Sequence, residues 1–154
     1  VSHCSCALLV RNVSFPAITW STNTSSWTYK GKEVPYVPAP LKTISPALKG
    51  DLYTAHKMML EDKEASKKAE IQVENINGAI LILSGKNDDQ WPASEMSDQL
   101  IKRLKSKDFK YYNKHIKLDG GHIAPLEHFN LVYDFLDKYL PTEVTKPVAN
   151  TVYN

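Results

Sequence analysis

An uninterrupted run of five apolar residues in the middle of the chain sets the strongest limit on its fold. Residues 79–83 read Ala-Ile-Leu-Ile-Leu, follow Gly78 and end at Ser84 and Gly85. A continuous apolar run bounded by turn residues is typical of a strand buried on both faces of a parallel sheet. Parallel strands need crossover connections, which are usually helices, so this run predicts an α/β fold.

The chain after this run alternates between predicted helices and strands. Residues 94–105 carry one apolar face with acids early and bases late, which predicts a helix capped by Ser94. Residues 111–118 read as a weaker strand, and residues 127–140 read as a closing helix that Pro141 stops. Together with a short predicted strand at residues 5–10, this order predicts about three parallel strands with flanking helices. The apolar residues of the closing helix that are predicted to face inward are Phe129, Val132, Phe135, Leu136 and Tyr139.

The first half of the chain is less regular. Residues 5–10 read as a short buried strand, and residues 13–46 combine many prolines with aromatic residues, which excludes a long helix. Residues 52–68 are predicted to form one helix, from a partial apolar stripe and a charged remainder. The expected organisation is one α/β domain over residues 1–140, with residues 13–75 as an ordered excursion over the sheet or pocket, and a tail over residues 141–154.

Composition limits the classes of function. The chain has 154 residues and a net charge of +2, with 19 basic residues mixed among 17 acidic ones, which argues against nucleic-acid binding. No apolar run approaches the ~20 residues of a membrane span, and two cysteines form no disulfide framework, so a cytoplasmic location is expected. His3, Cys4 and Cys6 are too few and too closely spaced to predict a metal site, although a thiol–metal protein stays an alternative. No cofactor is expected.

Two polar residues stand just past the predicted strand ends. Asp88 follows the apolar run, and His122, preceded by Gly120 and Gly121, comes 34 residues later. Ligands of parallel α/β sheets gather at the carboxyl ends of the strands. There a carboxylate can orient an imidazole that acts as a base for a serine or cysteine nucleophile. The plain alternatives are a turn built from turn-forming residues and an ordinary loop histidine.

The turn at residues 85–92, which contains Asp88 and which we call the acid turn, resembles one family of α/β hydrolases together with the residues around it. The sequence Gly-Lys-Asn-Asp-Asp-Gln-Trp-Pro at 85–92, Ile-Gln-Val-Glu-Asn-Ile at 71–76, and Gly121-His122 followed by Pro125 resemble the C-terminal domain of acyl-CoA thioesterases and bile-acid-CoA:amino-acid N-acyltransferases. The stretch Trp-Thr-Tyr-Lys-Gly-Lys at 27–32, with Pro35, extends the resemblance to residues 26–140. The resemblance implies a triad acid at Asp88, with its neighbour Asp89 as the runner-up, a triad base at His122 and an acyl thioester substrate. Trp91 is either a packing residue or a wall of the acyl pocket.

The chain departs from this family in one respect. It contains no Gly-x-Ser/Cys-x-Gly motif, the sharp turn that carries the nucleophile and an oxyanion donor. The resemblance therefore implies the C-terminal part of a larger enzyme, inactive when isolated, whose exposed sheet edge favours self-association. Two other interpretations stay open: a non-catalytic α/β module that binds a ligand or partner, and a related carboxylesterase of the dienelactone-hydrolase type.

Overall fold

The computed structural model describes residues 7–9, 25 and 28–140. Strands and helices mix along the chain, which confirms the predicted α/β class. The predicted tail at 141–154, most of residues 13–27, and His3, Cys4 and Cys6 lie outside the described residues. The elements are β1 (Ala7–Leu9), β2 (Thr28–Tyr29), β3 (Lys32–Glu33), α1 (Ile44–Leu48), α2 (Leu52–Met59), α3 (Lys63–Lys68), β4 (Ile80–Gly85), α4 (Ala93–Ser106), β5 (Asn113–Leu118), α5 (Ala124–Glu127) and α6 (Phe129–Tyr139).

The main sheet of the described residues has the strand order β1-β4-β5. β4 pairs in parallel with both neighbours, and the register places Ile80 opposite Asn113 and Gly85 opposite Leu118. The carboxyl ends of β4 and β5 are therefore level at one edge of the sheet. A separate antiparallel pair is formed by β2 and β3.

Burial on both faces explains the apolar run of β4. All six of its residues are buried. Leu81 and Leu83 pack on one face with Val132 and Phe135 of α6. On the other face, Ile80 and Ile82 pack in a separate cluster that includes Leu104 of α4, which is completely buried. Because successive side chains of a strand point to opposite faces, a strand between two helical layers is apolar on both faces, as residues 80–83 are.

The predicted single helix over residues 52–68 is wrong, because two aspartates begin two separate helices. Asp51 accepts a hydrogen bond from the backbone N–H of Thr54 at the start of α2. Asp62 does the same for Ala65 at the start of α3. Each side chain satisfies a backbone donor that has no partner inside its helix, which favours a new start over continuation.

Two further expectations about helix ends are corrected. α4 begins at Ala93, so Ser94 lies inside the first turn, and no side chain caps this helix. The N–H of Ala93 donates instead to the carbonyl of Trp91 at 2.7 Å, because the preceding turn already points the chain into the helix. The predicted closing helix divides into α5 and α6, and Phe129 at the junction is 38% exposed rather than inward.

Candidate active site

The turn after β4 is organised around the side chain of Asp88. Its Oδ1 accepts hydrogen bonds from the backbone N–H groups of Gln90, at 2.9 Å, and Trp91, at 3.2 Å. This is the local pattern that makes aspartate a turn-forming residue. The side chain is only 5% exposed, so the turn holds the carboxylate in a fixed and largely dry position.

The loop after β5 is joined to this turn through the backbone. Asn87 donates its N–H to the carbonyl of Gly120 at 3.0 Å, and Gly120 has a φ of +127°, a conformation that favours glycine. At Gly85, a side-chain Cβ would lie 2.1 Å from the carbonyl oxygen of Gly121. This loop, which carries His122 and which we call the histidine loop, therefore crosses directly over Gly85, where only glycine leaves room for it. Gly121, by contrast, has no positive φ.

These two loops bring Asp88 and His122 together. Nδ1 of His122 lies 3.0 Å from Oδ2 and 3.1 Å from Oδ1 of Asp88, so this ring nitrogen donates its proton to the carboxylate. The His122 side chain is 11% exposed. Asp89, the runner-up acid, is exposed, and its backbone carbonyl accepts the N–H of Tyr53. We call Asp88 and His122 the loop pair.

Trp91 lies beside the loop pair. Its ring meets the ring of His122 edge to face, with centroids 6.2 Å apart, and the ring of His56 in the same way at 5.5 Å. It also packs against the buried residues Val37, Met59 and Met96. The indole is thus part of the core and a neighbour of the imidazole at once, and a role in the acyl pocket stays a prediction.

A second acid–histidine contact, which sequence reasoning missed, lies between α4 and the sheet. Nδ1 of His115 on β5 donates to Oδ1 of Asp98 on α4 at 3.0 Å, and Nε2 lies 2.7 Å from the hydroxyl of Ser84 on β4. Nζ of Lys117 donates to the other Asp98 oxygen at 2.6 Å. We call Asp98 and His115 the sheet pair. The alternation of β4 and β5 could have placed Ser84, His115 and Lys117 on one face.

Burial and charge act on the sheet pair in identifiable ways. Burial lowers the pKa of His115 below its usual value of 6.5, although the hydrogen bond to Asp98 opposes this shift. The hydrogen bond from Lys117 lowers the pKa of Asp98, with a smaller contribution from His115. His115 is therefore neutral at pH 7, with the proton on Nδ1, and Nε2 accepts a hydrogen bond from the Ser84 hydroxyl.

Residues 7–9, 25 and 28–140 contain neither a metal cluster nor a membrane-spanning helix. Their histidine, cysteine and acidic side chains form no group of three or more that could hold a metal ion. None of the helices in this part of the chain combines the length and apolar character needed to cross a bilayer.

The parallel sheet and the position of the loop pair define a protein class. A carboxylate and an imidazole that meet beyond the ends of two neighbouring parallel strands, in that chain order, are the arrangement of α/β hydrolases. In a comparison with protein families, the model described as BAAT / Acyl-CoA thioester hydrolase C terminal matches residues 11–133. The chain belongs to this family, which confirms the resemblance seen in the sequence. Comparisons with curated proteins and with solved structures gave no match.

Proposed function

We propose that this chain supplies the acid, Asp88, and the base, His122, of a Ser/Cys-His-Asp triad in an acyl-CoA thioester hydrolase or acyltransferase. The observation that carries this proposal is the hydrogen bond of His122 Nδ1 to a buried carboxylate beyond the strand ends. Family membership supports the substrate class, an acyl thioester. Activity of the hydrolase or acyltransferase type in the full protein is what the family indicates.

In this proposal each member of the loop pair has a chemical task. Because Nδ1 of His122 is committed to Asp88, proton transfer falls to Nε2, which takes the proton of the attacking hydroxyl or thiol. The nucleophile bonds to the thioester carbonyl carbon, and His122 returns the proton to the departing thiolate of the CoA moiety. Asp88 holds the productive tautomer and stabilises the imidazolium during each transfer. Water then attacks the acyl group on the nucleophile and releases a carboxylic acid, or an amine attacks it and releases an amide.

The nucleophile is proposed to lie outside this sequence. None of its serines or cysteines has the two flanking glycines of a nucleophile elbow. Ser84 precedes Gly85, but its side chain lies under α4, is 2% exposed and bonds to His115. An attacking group must be reachable by the substrate, so Ser84 does not fill this role. We propose that a segment preceding Val1 in the natural protein contributes the elbow.

Substitution of His122 tests the proposal. In the longer protein that carries the elbow, we expect His122→Gln to lower kcat toward an acyl-CoA by about 10⁶-fold, because base catalysis is lost. His128→Gln is the matched control, since His128 bonds to the Ala124 carbonyl and not to a carboxylate. The isolated 154-residue chain should show no turnover. Retained activity in His122→Gln, or turnover by the isolated chain, would contradict the proposal.

The open alternatives make different predictions in the same assay. A carboxylesterase would hydrolyse a simple ester better than the acyl-CoA with the same acyl group. A non-catalytic module would show no elbow in the longer reading frame and no turnover of either compound.

Self-association through the sheet edge also stays a prediction, with β1 and β5 as the outer strands of the described sheet. Its measure is the concentration dependence of the sedimentation coefficient.

A further inference from the structure

His56 is a buried histidine that the proposed triad does not use. It lies on α2 and is 7% exposed. Its Nδ1 is 2.8 Å from the carbonyl oxygen of Leu52, one helical turn earlier, and 2.9 Å from the carbonyl oxygen of Gln90 in the acid turn. Both partners are acceptors only, so Nδ1 carries a proton and donates it to the two oxygens together. α2 is thereby fastened to the acid turn by a side chain.

The bond to Gln90 reaches the same peptide group that holds Asp88. The carbonyl of Gln90 and the N–H of Trp91 belong to one planar peptide unit. His56 donates to the Gln90 oxygen of this unit. The Trp91 N–H of the same unit donates to Asp88 Oδ1 at 3.2 Å. Because the unit is rigid, fixing its oxygen fixes the direction of its N–H. Hydrogen bonds in such a chain also polarise one another.

Two more contacts connect α2 with this turn. The N–H of Tyr53 donates to the carbonyl of Asp89 at 3.2 Å. The ring of Trp91 lies between the rings of His56 and His122 and meets both at steep angles, 69° and 67°. Residues 89, 90 and 91 of the acid turn therefore all contact α2. These contacts connect His56 to both members of the loop pair.

From this arrangement we infer that His56 is a positioning residue for the loop pair. It acts through the Gln90–Trp91 peptide unit, which sets where the Asp88 carboxylate meets His122. The inference rests on the proposed function for its catalytic consequence, and on the described contacts alone for its structural one. A histidine that only joined α2 to the rest of the molecule would affect stability and leave the His122 tautomer unchanged.

The tautomer of His122 is the readout that separates these roles. In the ¹⁵N-labelled 154-residue chain, at a pH where the ring is neutral, ring-nitrogen chemical shifts report whether the proton is on Nδ1 or Nε2. We expect the unsubstituted chain to hold the proton on Nδ1, because Asp88 accepts it there. His56→Leu removes the donor to Gln90 and should shift a measurable fraction of His122 to the Nε2–H form.

Two variants complete the comparison. His56→Asn places an amide N–H near the position of Nδ1 and should restore the tautomer of the unsubstituted chain. Tyr53→Phe removes the hydroxyl that donates to Glu95 at 2.8 Å, a different side-chain contact between α2 and α4, and should leave the tautomer unchanged. Thermal unfolding of each variant, recorded in parallel, establishes that the chain is folded where the spectra are taken.

Kinetics in the longer protein supply a second measurement. There we expect His56→Leu to lower kcat about 10- to 100-fold, the size of effect produced by a displaced catalytic group, with KM unchanged. An unchanged His122 tautomer in folded His56→Leu, or an equal change in Tyr53→Phe, would overturn the inference while the triad proposal stood. Full activity of His122→Gln would overturn the triad proposal, whereas the tautomer response would still establish the positioning role.

Discussion

The loop pair and the sheet pair contain the same hydrogen bond in opposite surroundings. In both, an imidazole Nδ1 donates to an aspartate at about 3 Å. In the loop pair the carboxylate is 5% exposed, whereas in the sheet pair it is 52% exposed and shared with Lys117. A carboxylate that orients a catalytic imidazole is expected to be buried and held by several donors, and only Asp88 meets that description.

The partners of the two imidazoles differ as well. In the sheet pair, His115 also contacts the Ser84 hydroxyl, which is buried on the central strand β4, so this contact joins secondary-structure elements. The loop pair lies where two loops leave neighbouring strand ends, the usual place for a ligand in such a sheet. The comparison teaches that Ser-His-Asp distances alone do not define a triad. The acid must be inside, and the nucleophile must be reachable.

The largest expected difference between the pairs comes from exchanging each aspartate for asparagine. In the proposed longer protein, Asp88→Asn should lower kcat by about 10⁴-fold, because the amide stabilises neither the Nδ1–H tautomer nor the imidazolium. Asp98→Asn should leave kcat unchanged, since Asp98 lies on α4 and its partner His115 bonds to a buried serine. Steady-state kinetics with an acyl-CoA measure both, and comparable losses in the two variants would show that the distinction between the pairs is wrong.

The next effect concerns the glycine beneath the histidine loop. Gly85→Ala would put a Cβ within 2.9 Å of three backbone atoms of Gly120 and Gly121, so we expect a loss of about 3 kcal/mol in the free energy of unfolding. Gly121→Ala is the matched control, because its Cβ would meet only the Asn87 carbonyl at 3.6 Å. Urea denaturation compares the two variants. Equal stability would mean that the loop can move away from Gly85 at little cost.

Sequence reasoning reached the loop pair because its signals are local in the chain. A buried apolar run followed by an acid turn, and a histidine after glycines, each identify a strand end without knowledge of the partner strand. His56 and the sheet pair gave no such signal. Their partners are a backbone carbonyl 34 residues away and side chains on other elements, so they depend on register and helix orientation. The break between α2 and α3 was missed because aspartate capping at residue 62 outweighed a continuous helical pattern.

The smallest expected effect is the acid sensitivity of the sheet pair. Because burial lowers the pKa of His115 below 6.5, the unfolded chain takes up its proton first as the pH falls. The stabilisation from keeping this ring neutral is complete above pH 6.5 and declines as the pH falls from 6.5 through the lowered pKa.

The groups that face His115 are Ser84, Asp98 and Lys117. Of these, Asp98 loses its stabilising charge only below its usual value of 3.8. His115→Gln should therefore flatten the pH dependence of the free energy of unfolding just below pH 6.5. Urea titrations between pH 7.5 and 5 measure this slope. An unchanged slope in His115→Gln would show that the acid sensitivity arises elsewhere.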